Sequence, residues 1–169
     1  MSSSDHIHYI AYGSNMSLRR LRERVPGAQA IGRGILQGHE LRFHKRGSDG
    51  SGKCDAFRVE NSDARVIGAL FSIPSDGKAE LDRVEGLGAG YEDKKVSILT
   101  TDGGRQPAVT YYATDIQSDL LPYCWYREHV LTGAREFDLP PDYVAAISSA
   151  PFTADPDTRR RIRELALYT

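Results

Sequence analysis

The residues best suited to chemistry in this sequence are a short polar segment near the N-terminus and a glutamate seventy positions later. The segment consists of Tyr12, Gly13, Ser14 and Asn15. It follows the apolar run 7–11, and regularly spaced leucines follow it, so we interpret it as a tight loop between a first strand and a first helix. Such a loop leaves backbone N–H groups available for a carboxylate or an oxyanion. A structural role is also open, in which Gly13 adopts a positive φ and Asn15 caps the helix.

The glutamate, Glu85, ends a second predicted helix. Helix-start signals at 74–76 and the glycine at 86 bound this helix, and Leu81 and Glu85 lie four residues apart, on or near one face. If Leu81 faces the core, burial and the negative end of the helix dipole both raise the pKa of Glu85. A carboxyl group tuned in this way can accept and return a proton near neutral pH. The alternative is a solvated residue in front of a glycine that ends the helix.

The surrounding sequence predicts the elements that must position these residues. Strands are expected over 30–36, 40–44, 56–60, 66–73, 91–100 and 108–113, and helices over 18–25, 75–85, 123–131, 142–147 and 158–167. Because most of the strands precede most of the helices, we expect an α+β fold. Its small, mainly antiparallel sheet is expected to curl into a barrel with peripheral helices. One domain over residues 1–169 is expected. The glycine-rich segment 47–52 is interpreted as a mobile hairpin loop, and a role as a lid is left open.

Composition argues against several classes of protein. The formal charge of −1 and the absence of aromatic residues between the arginines of 159–163 argue against a nucleic-acid partner. The spacing of Cys54 and Cys124 indicates neither a disulfide framework nor a metal site, so we expect two reduced thiols in a cytoplasmic protein. No segment approaches the roughly 20 apolar residues of a membrane span, so no membrane association is expected.

Three parts of the chain resemble one family of enzymes. They are IAYGSNM at 10–16, LDRVEG at 81–86 with Tyr91 soon after, and a block in which Tyr126 stands seven residues before Gly133-Ala134, followed by Leu139-Pro140 and Tyr143. In this order and at this spacing they resemble the γ-glutamylcyclotransferase family, which includes AIG2-like proteins. The resemblance spans residues 7 to about 147.

The resemblance implies a reaction and a set of roles. A γ-glutamyl amide would be cleaved by its own α-amine, which releases 5-oxoproline and an amino acid or amine and requires no cofactor. Because the nucleophile is tethered to the electrophile, the enzyme need only fold the glutamyl chain, expose a neutral amine and stabilise the oxyanion. Glu85 would transfer the proton, and the backbone N–H groups of residues 12–15 would hold substrate oxygens. Tyr91 and Tyr126 would supply hydroxyl groups, although either is equally expected as a core aromatic.

Two alternatives to a γ-glutamylcyclotransferase acting on amino-acid derivatives are left open. One is a γ-glutamylamine cyclotransferase that removes a γ-glutamyl group in secondary metabolism, and the other is a non-catalytic module that binds a metabolite. Asn15 favours γ-glutamyl amino acids as substrates, since relatives acting on glutathione or on γ-glutamyl-lysine-type amines often have leucine at this position. The expected partner is a small γ-glutamyl molecule, and the expected state is a monomer or a homodimer.

Overall fold

A computed structural model describes residues 5–169 of the chain. Its strands are β1 (His6–Ala11), β2 (Gln29–Gln37), β3 (His39–Arg46), β4 (Gly52–Arg58), β5 (Arg65–Pro74), β6 (Tyr91–Thr100) and β7 (Arg105–Ala113). Its α-helices are α1 (Leu18–Arg24), α2 (Ser75–Glu85), α3 (Cys124–Glu136), α4 (Pro141–Ser148) and α5 (Thr158–Leu165), and short 3-10 helices cover Ser14–Met16 and Ala166–Tyr168. None of the helices in this part of the chain is long and apolar enough to cross a membrane.

Five strands close into a barrel in the order β1-β5-β2-β6-β7. Neighbouring strands pair antiparallel, except that β1 and β7 pair parallel at Tyr9 and Val109 and thereby close the barrel. Nearly all of β5 is buried, because it lies between two other barrel strands and Phe71 also packs against Phe137 at the end of α3. The predicted α+β fold with a barrel-like sheet and peripheral helices is therefore confirmed.

Strands β3 and β4 form a separate antiparallel hairpin. The hairpin loop predicted over the glycine-rich segment is present, and it is anchored by contacts that the sequence did not predict. The Asp49 carboxylate accepts hydrogen bonds from the backbone N–H of Ser51 at 3.0 Å and from Nζ of Lys53 at 2.9 Å, while the hydroxyl of Tyr123 donates to the Asp49 carbonyl at 3.1 Å. These bonds fix the loop beside the start of α3.

Several element boundaries differ from the predictions by a few residues, and the largest differences lie at the start of β4 and the end of α3. Strand β4 starts at Gly52 rather than at residue 56, because its pairing with β3 extends to the pair Arg46 and Gly52. Helix α3 continues to Glu136 through Gly133, which was expected to end it. Gly133 is buried in the helix, and a Cβ atom there would lie 2.3 Å from Cβ of Met16, so this glycine allows close packing instead of ending the helix.

Candidate active site

One end of the barrel carries a pocket that all the sequence-predicted site residues line. They are Tyr12, Gly13, Ser14, Asn15, Glu85, Tyr91 and Tyr126. The register explains the assembly: β1 and β7 run parallel and β6 antiparallel to them, so the end of β1 lies at the same end of the barrel as the start of β6. Three further pocket residues, Tyr9, Cys54 and Tyr111, were not predicted, because their strand positions alone indicate only core packing.

The loop after β1 does not have the structural role considered for it, in which Gly13 adopts a positive φ and Asn15 caps the helix. Gly13 has φ −112°, so no left-handed conformation requires a glycine there. A Cβ atom at this position would instead lie 3.0 Å from Cβ of Cys54 and 3.2 Å from the hydroxyl oxygen of Tyr126. Helix α1 is capped by the side chain of Ser17, not by Asn15. Gly13 is thus required for the close approach of the loop to β4.

The 3-10 helix gives the loop its potential to bind anions. The N–H of Met16 donates to the carbonyl of Gly13 at 3.1 Å, and that of Ser17 donates to the carbonyl of Ser14 at 3.3 Å. The N–H groups of Ser14 and Asn15 lie before these bonds and take no part in them. Since both residues line the pocket, these groups are suited to bind a carboxylate or an oxyanion.

Glu85 is connected to an arginine through the side chain of Asn15. Nδ2 of Asn15 donates to Oε1 of Glu85 at 2.5 Å, and Oδ1 of Asn15 accepts a hydrogen bond from Arg24 at 2.5 Å. The same Nδ2 donates to the hydroxyl oxygen of Tyr9 at 3.3 Å. The participation of Arg24 could not be predicted from the sequence, because the arginines of α1 alternate with leucines in the way that is typical of a solvated helix face. This site therefore uses the side chain of Asn15 as well as its backbone.

The environment of Glu85 raises the pKa of its carboxyl group. Glu85 is the last residue of α2, and Gly86 follows in the left-handed conformation with φ 72°. Burial raises the pKa of Glu85, whereas the charge of Arg24 and the hydrogen bond from Asn15 act in the opposite direction. The alternative of a fully solvated helix-end residue is thus wrong. A carboxyl group in this setting can take up a proton and release it again.

Three of the pocket tyrosines use their hydroxyl groups to hold the protein backbone. Tyr91 donates to the carbonyl of Cys54 at 2.6 Å, and Tyr126 accepts from the N–H of Cys54 at 3.0 Å. Tyr12 donates to the carbonyl of Tyr111 at 2.6 Å. All three are core aromatics whose rings also line the pocket. Their hydrogen bonds give the pocket a rigid wall.

Cys54 is not suited to act as the nucleophile of this pocket. It is 1% exposed, and burial raises the pKa of its thiol to about 12. A thiol with this pKa is protonated at neutral pH and therefore unreactive. Within residues 5–169, no three His, Cys, Asp or Glu side chains are grouped in a way that would hold a metal ion. The acid–base chemistry available in the pocket rests on Glu85.

A mixed five-stranded barrel with a glutamate at a helix end and a polar loop at the same end defines the γ-glutamylcyclotransferase-like class of fold. A solved structure of a γ-glutamyl cyclotransferase matches this chain with a TM-score of 0.82 at 24% identity, covering 88% of this chain and 90% of that one. The model of the AIG2-like family matches residues 65–147.

Two curated proteins named γ-glutamylcyclotransferase are similar to the chain in sequence. The bovine protein is 28% identical over 149 residues, which cover 83% of this chain and 77% of the bovine one. The human protein is 27% identical over 143 residues, which cover 80% of this chain and 73% of the human one. The resemblance to the γ-glutamylcyclotransferase family that was predicted from the sequence is thus confirmed.

Proposed function

We propose that this protein is a γ-glutamylcyclotransferase that converts a γ-glutamyl amide into 5-oxoproline and a free amino acid or amine. The observation that carries the proposal is the carboxyl group of Glu85, which faces the same pocket as the loop 12–15 at one end of the barrel. The similarity to the bovine enzyme over most of both chains supports the same reaction.

The reaction needs one group that moves protons from the attacking nitrogen to the leaving nitrogen. Glu85 in its ionised form takes a proton from the substrate α-ammonium, and the neutral amine attacks the γ-carbonyl carbon. The tetrahedral intermediate carries its negative charge on the former carbonyl oxygen. When the bond between this carbon and the amide nitrogen breaks, Glu85 returns its proton to the leaving nitrogen. The ring nitrogen then loses its second proton to the Glu85 carboxylate, which passes this proton to the released amine and is ionised again. Atoms and charges balance without a cofactor, because the nucleophile and the electrophile belong to one molecule.

The loop supplies the electrostatic part of the mechanism. The N–H groups of Ser14 and Asn15 bind either the oxyanion or the substrate α-carboxylate, and donors fixed in a 3-10 helix need little rearrangement when charge develops. Asn15 also orients Glu85 through its side chain. The pocket wall of tyrosine rings excludes water from the folded glutamyl chain.

The proposal extends to the setting in which the enzyme works. Its partner is a small γ-glutamyl substrate and not a nucleic acid, and the enzyme acts as a monomer or a homodimer. We propose a cytoplasmic location, which the free thiols of Cys54 and Cys124 support because disulfides are rare in that compartment.

The release of 5-oxoproline tests this function directly. We would offer γ-glutamyl-alanine, glutathione, γ-glutamyl-ε-lysine and a γ-glutamyl amine to the wild type and to Glu85→Gln. The matched control is Glu80→Gln on the same helix, whose exposed carboxylate pairs with Arg83. Release by the wild type and by the control, with a loss of at least about a hundredfold in Glu85→Gln, is the expected result. Unchanged turnover in Glu85→Gln would refute its acid–base role, and the absence of product from every substrate would favour a binding module.

A further inference from the structure

A basic cavity opens outward from the catalytic pocket. It shares Ser14, Glu85, Tyr91 and Tyr126 with that pocket, so the two are continuous. Its cationic residues are Arg20, Arg24, Lys45, Lys53 and Arg160. If the glutamyl group lies in the inner pocket with its amide at Glu85, the departing group extends into this outer cavity. The charge of the cavity therefore acts on the leaving group, whose identity the sequence does not predict.

Three of these cations are already paired with carboxylates of the protein. The pairs are Arg20 with Glu164 at 2.9 Å, Lys53 with Asp49 at 2.9 Å and Arg160 with Asp155 at 2.6 Å. Within residues 5–169, neither Arg24 nor Lys45 has a carboxylate at ion-pair distance. Arg24 already donates to the side chain of Asn15. Lys45 is thus the cation that is most available to a ligand.

Lys45 is buried although its charge is unpaired. The residue is only 9% exposed, and its Nζ lies over the ring of Tyr91, 4.6 Å from the centroid. Its ammonium group makes no hydrogen bond to any residue in the described part of the chain. Lys45 lines the basic cavity and also a neighbouring cavity that reaches Glu85. The carboxylates of Glu85, Asp115 and Asp49 act on the charge of Lys45 only from beyond ion-pair distance. A buried charge without a close partner is unfavourable, so an anion bound at this position would be stabilised.

We propose that Lys45 binds the carboxylate of the departing amino acid and so makes the enzyme selective for γ-glutamyl amino acids over γ-glutamyl amines. This inference rests on the proposed function and assigns a residue to the leaving group. The Tyr91 ring holds the ammonium group in the lining of the cavity. Since the other cavity cations are paired with carboxylates or engaged with Asn15, the site suits one carboxylate and not an extended polyanion.

A pair of substrates that differ only in this carboxylate tests the inference. We would measure kcat/KM for γ-glutamyl-alanine and for γ-glutamyl-alaninamide with the wild type, Lys45→Met and Lys45→Arg. The matched control is Lys95→Met, which removes an exposed lysine from β6 outside the cavity. The ratio of the two kcat/KM values is compared between variants, because it cancels any effect of Lys45 on Glu85 that both substrates share.

The wild type and Lys95→Met are expected to prefer γ-glutamyl-alanine by about tenfold or more, as a charge-assisted hydrogen bond allows. In Lys45→Met the ratio falls towards one, and Lys45→Arg keeps most of the preference because the charge is retained. A wild-type ratio near one, or an unchanged ratio in Lys45→Met, overturns the inference while leaving the cyclotransferase activity intact. If neither substrate yields 5-oxoproline, the proposed function fails. In that case calorimetry measures the binding of γ-glutamyl-alanine and of γ-glutamyl-alaninamide to the wild type. Equal or absent binding of the two would overturn the carboxylate subsite as well.

Discussion

The side-chain amide of Asn15 lies between Glu85 and Arg24 and hydrogen-bonds to both, at 2.5 Å in each case. Its oxygen accepts from the guanidinium group and its nitrogen donates to the carboxylate. Arg24 and Glu85 are therefore linked by hydrogen bonds through a neutral residue, and the charge of Arg24 lowers the Glu85 pKa without a direct ion pair. This arrangement orients the carboxyl group while burial still keeps its pKa raised.

Replacing Asn15 with leucine is expected to raise the pKa of Glu85 further. The hydrogen bond from Asn15 lowers this pKa, so its loss moves the acid limb of kcat/KM to higher pH. We expect kcat/KM at neutral pH to fall by about tenfold, because the carboxyl group also loses its orientation. Profiles of kcat/KM against pH for the wild type and Asn15→Leu measure both effects.

Asn61→Leu is the control for this substitution, since Asn61 lies in the loop between β4 and β5, away from the pocket. Its profile should match that of the wild type. A shift of the Asn15→Leu limb to lower pH would contradict the prediction and would indicate that Arg24 pairs directly with Glu85 once the amide is gone.

On acidification, the kcat/KM of the wild-type enzyme is expected to fall at a higher pH than it would with a glutamate of ordinary pKa. Glu85 must be ionised to accept the α-ammonium proton, so kcat/KM falls as the pH drops through its pKa. Because burial raises this pKa, the acid limb lies above the usual value of about 4.3. The measurement uses a substrate whose own groups do not titrate in this range. An acid limb with an apparent pKa at or below the usual value for glutamate would show that the carboxyl group is solvated.

The sequence predicts the order of the local elements and a barrel-like sheet, but it does not predict which strands meet to close the barrel. Strand β6 has the predicted bounds, Tyr91–Thr100, because β-rich residues and a turn signal bound it on the chain itself. Barrel closure depends on the parallel contact between Tyr9 and Val109, which are a hundred positions apart, and no local pattern contains this contact.

The candidate site shows the same division between local and distant information. Glu85 and the loop 12–15 could be identified from motifs, since glycine, polar residues and helix ends leave local signals. The contact of Arg24 with Asn15 could not, because an arginine on a short amphipathic helix has the same pattern whether it faces solvent or a pocket. The unpaired state of Lys45 likewise emerges only when every neighbouring carboxylate has been placed.

Replacing Tyr91 with phenylalanine is expected to destabilise the protein. The hydroxyl of Tyr91 donates to the carbonyl of Cys54, and the residue is only 7% exposed, so its loss leaves a buried carbonyl without this donor. The free energy of unfolding should fall by about 1–3 kcal/mol. Urea denaturation of Tyr91→Phe measures the loss. Tyr112→Phe is the control on the partner strand, and its equal or greater loss would contradict a special role for the Tyr91 hydroxyl.

Replacing Gly133 with alanine tests how α3 supports the catalytic loop. In an open helix this change stabilises by about 0.5–1 kcal/mol, but here the new Cβ atom would lie 2.3 Å from Cβ of Met16 and 2.6 Å from its carbonyl carbon. Met16 belongs to the 3-10 helix that carries Ser14 and Asn15, so the clash displaces the groups that we propose to bind substrate. We therefore expect a loss of about 1–3 kcal/mol in unfolding free energy together with a lower kcat/KM. Gly32→Ala, which meets no atom within 4 Å, should preserve kcat/KM, and a stabilised or fully active Gly133→Ala would show that the loop does not depend on this contact.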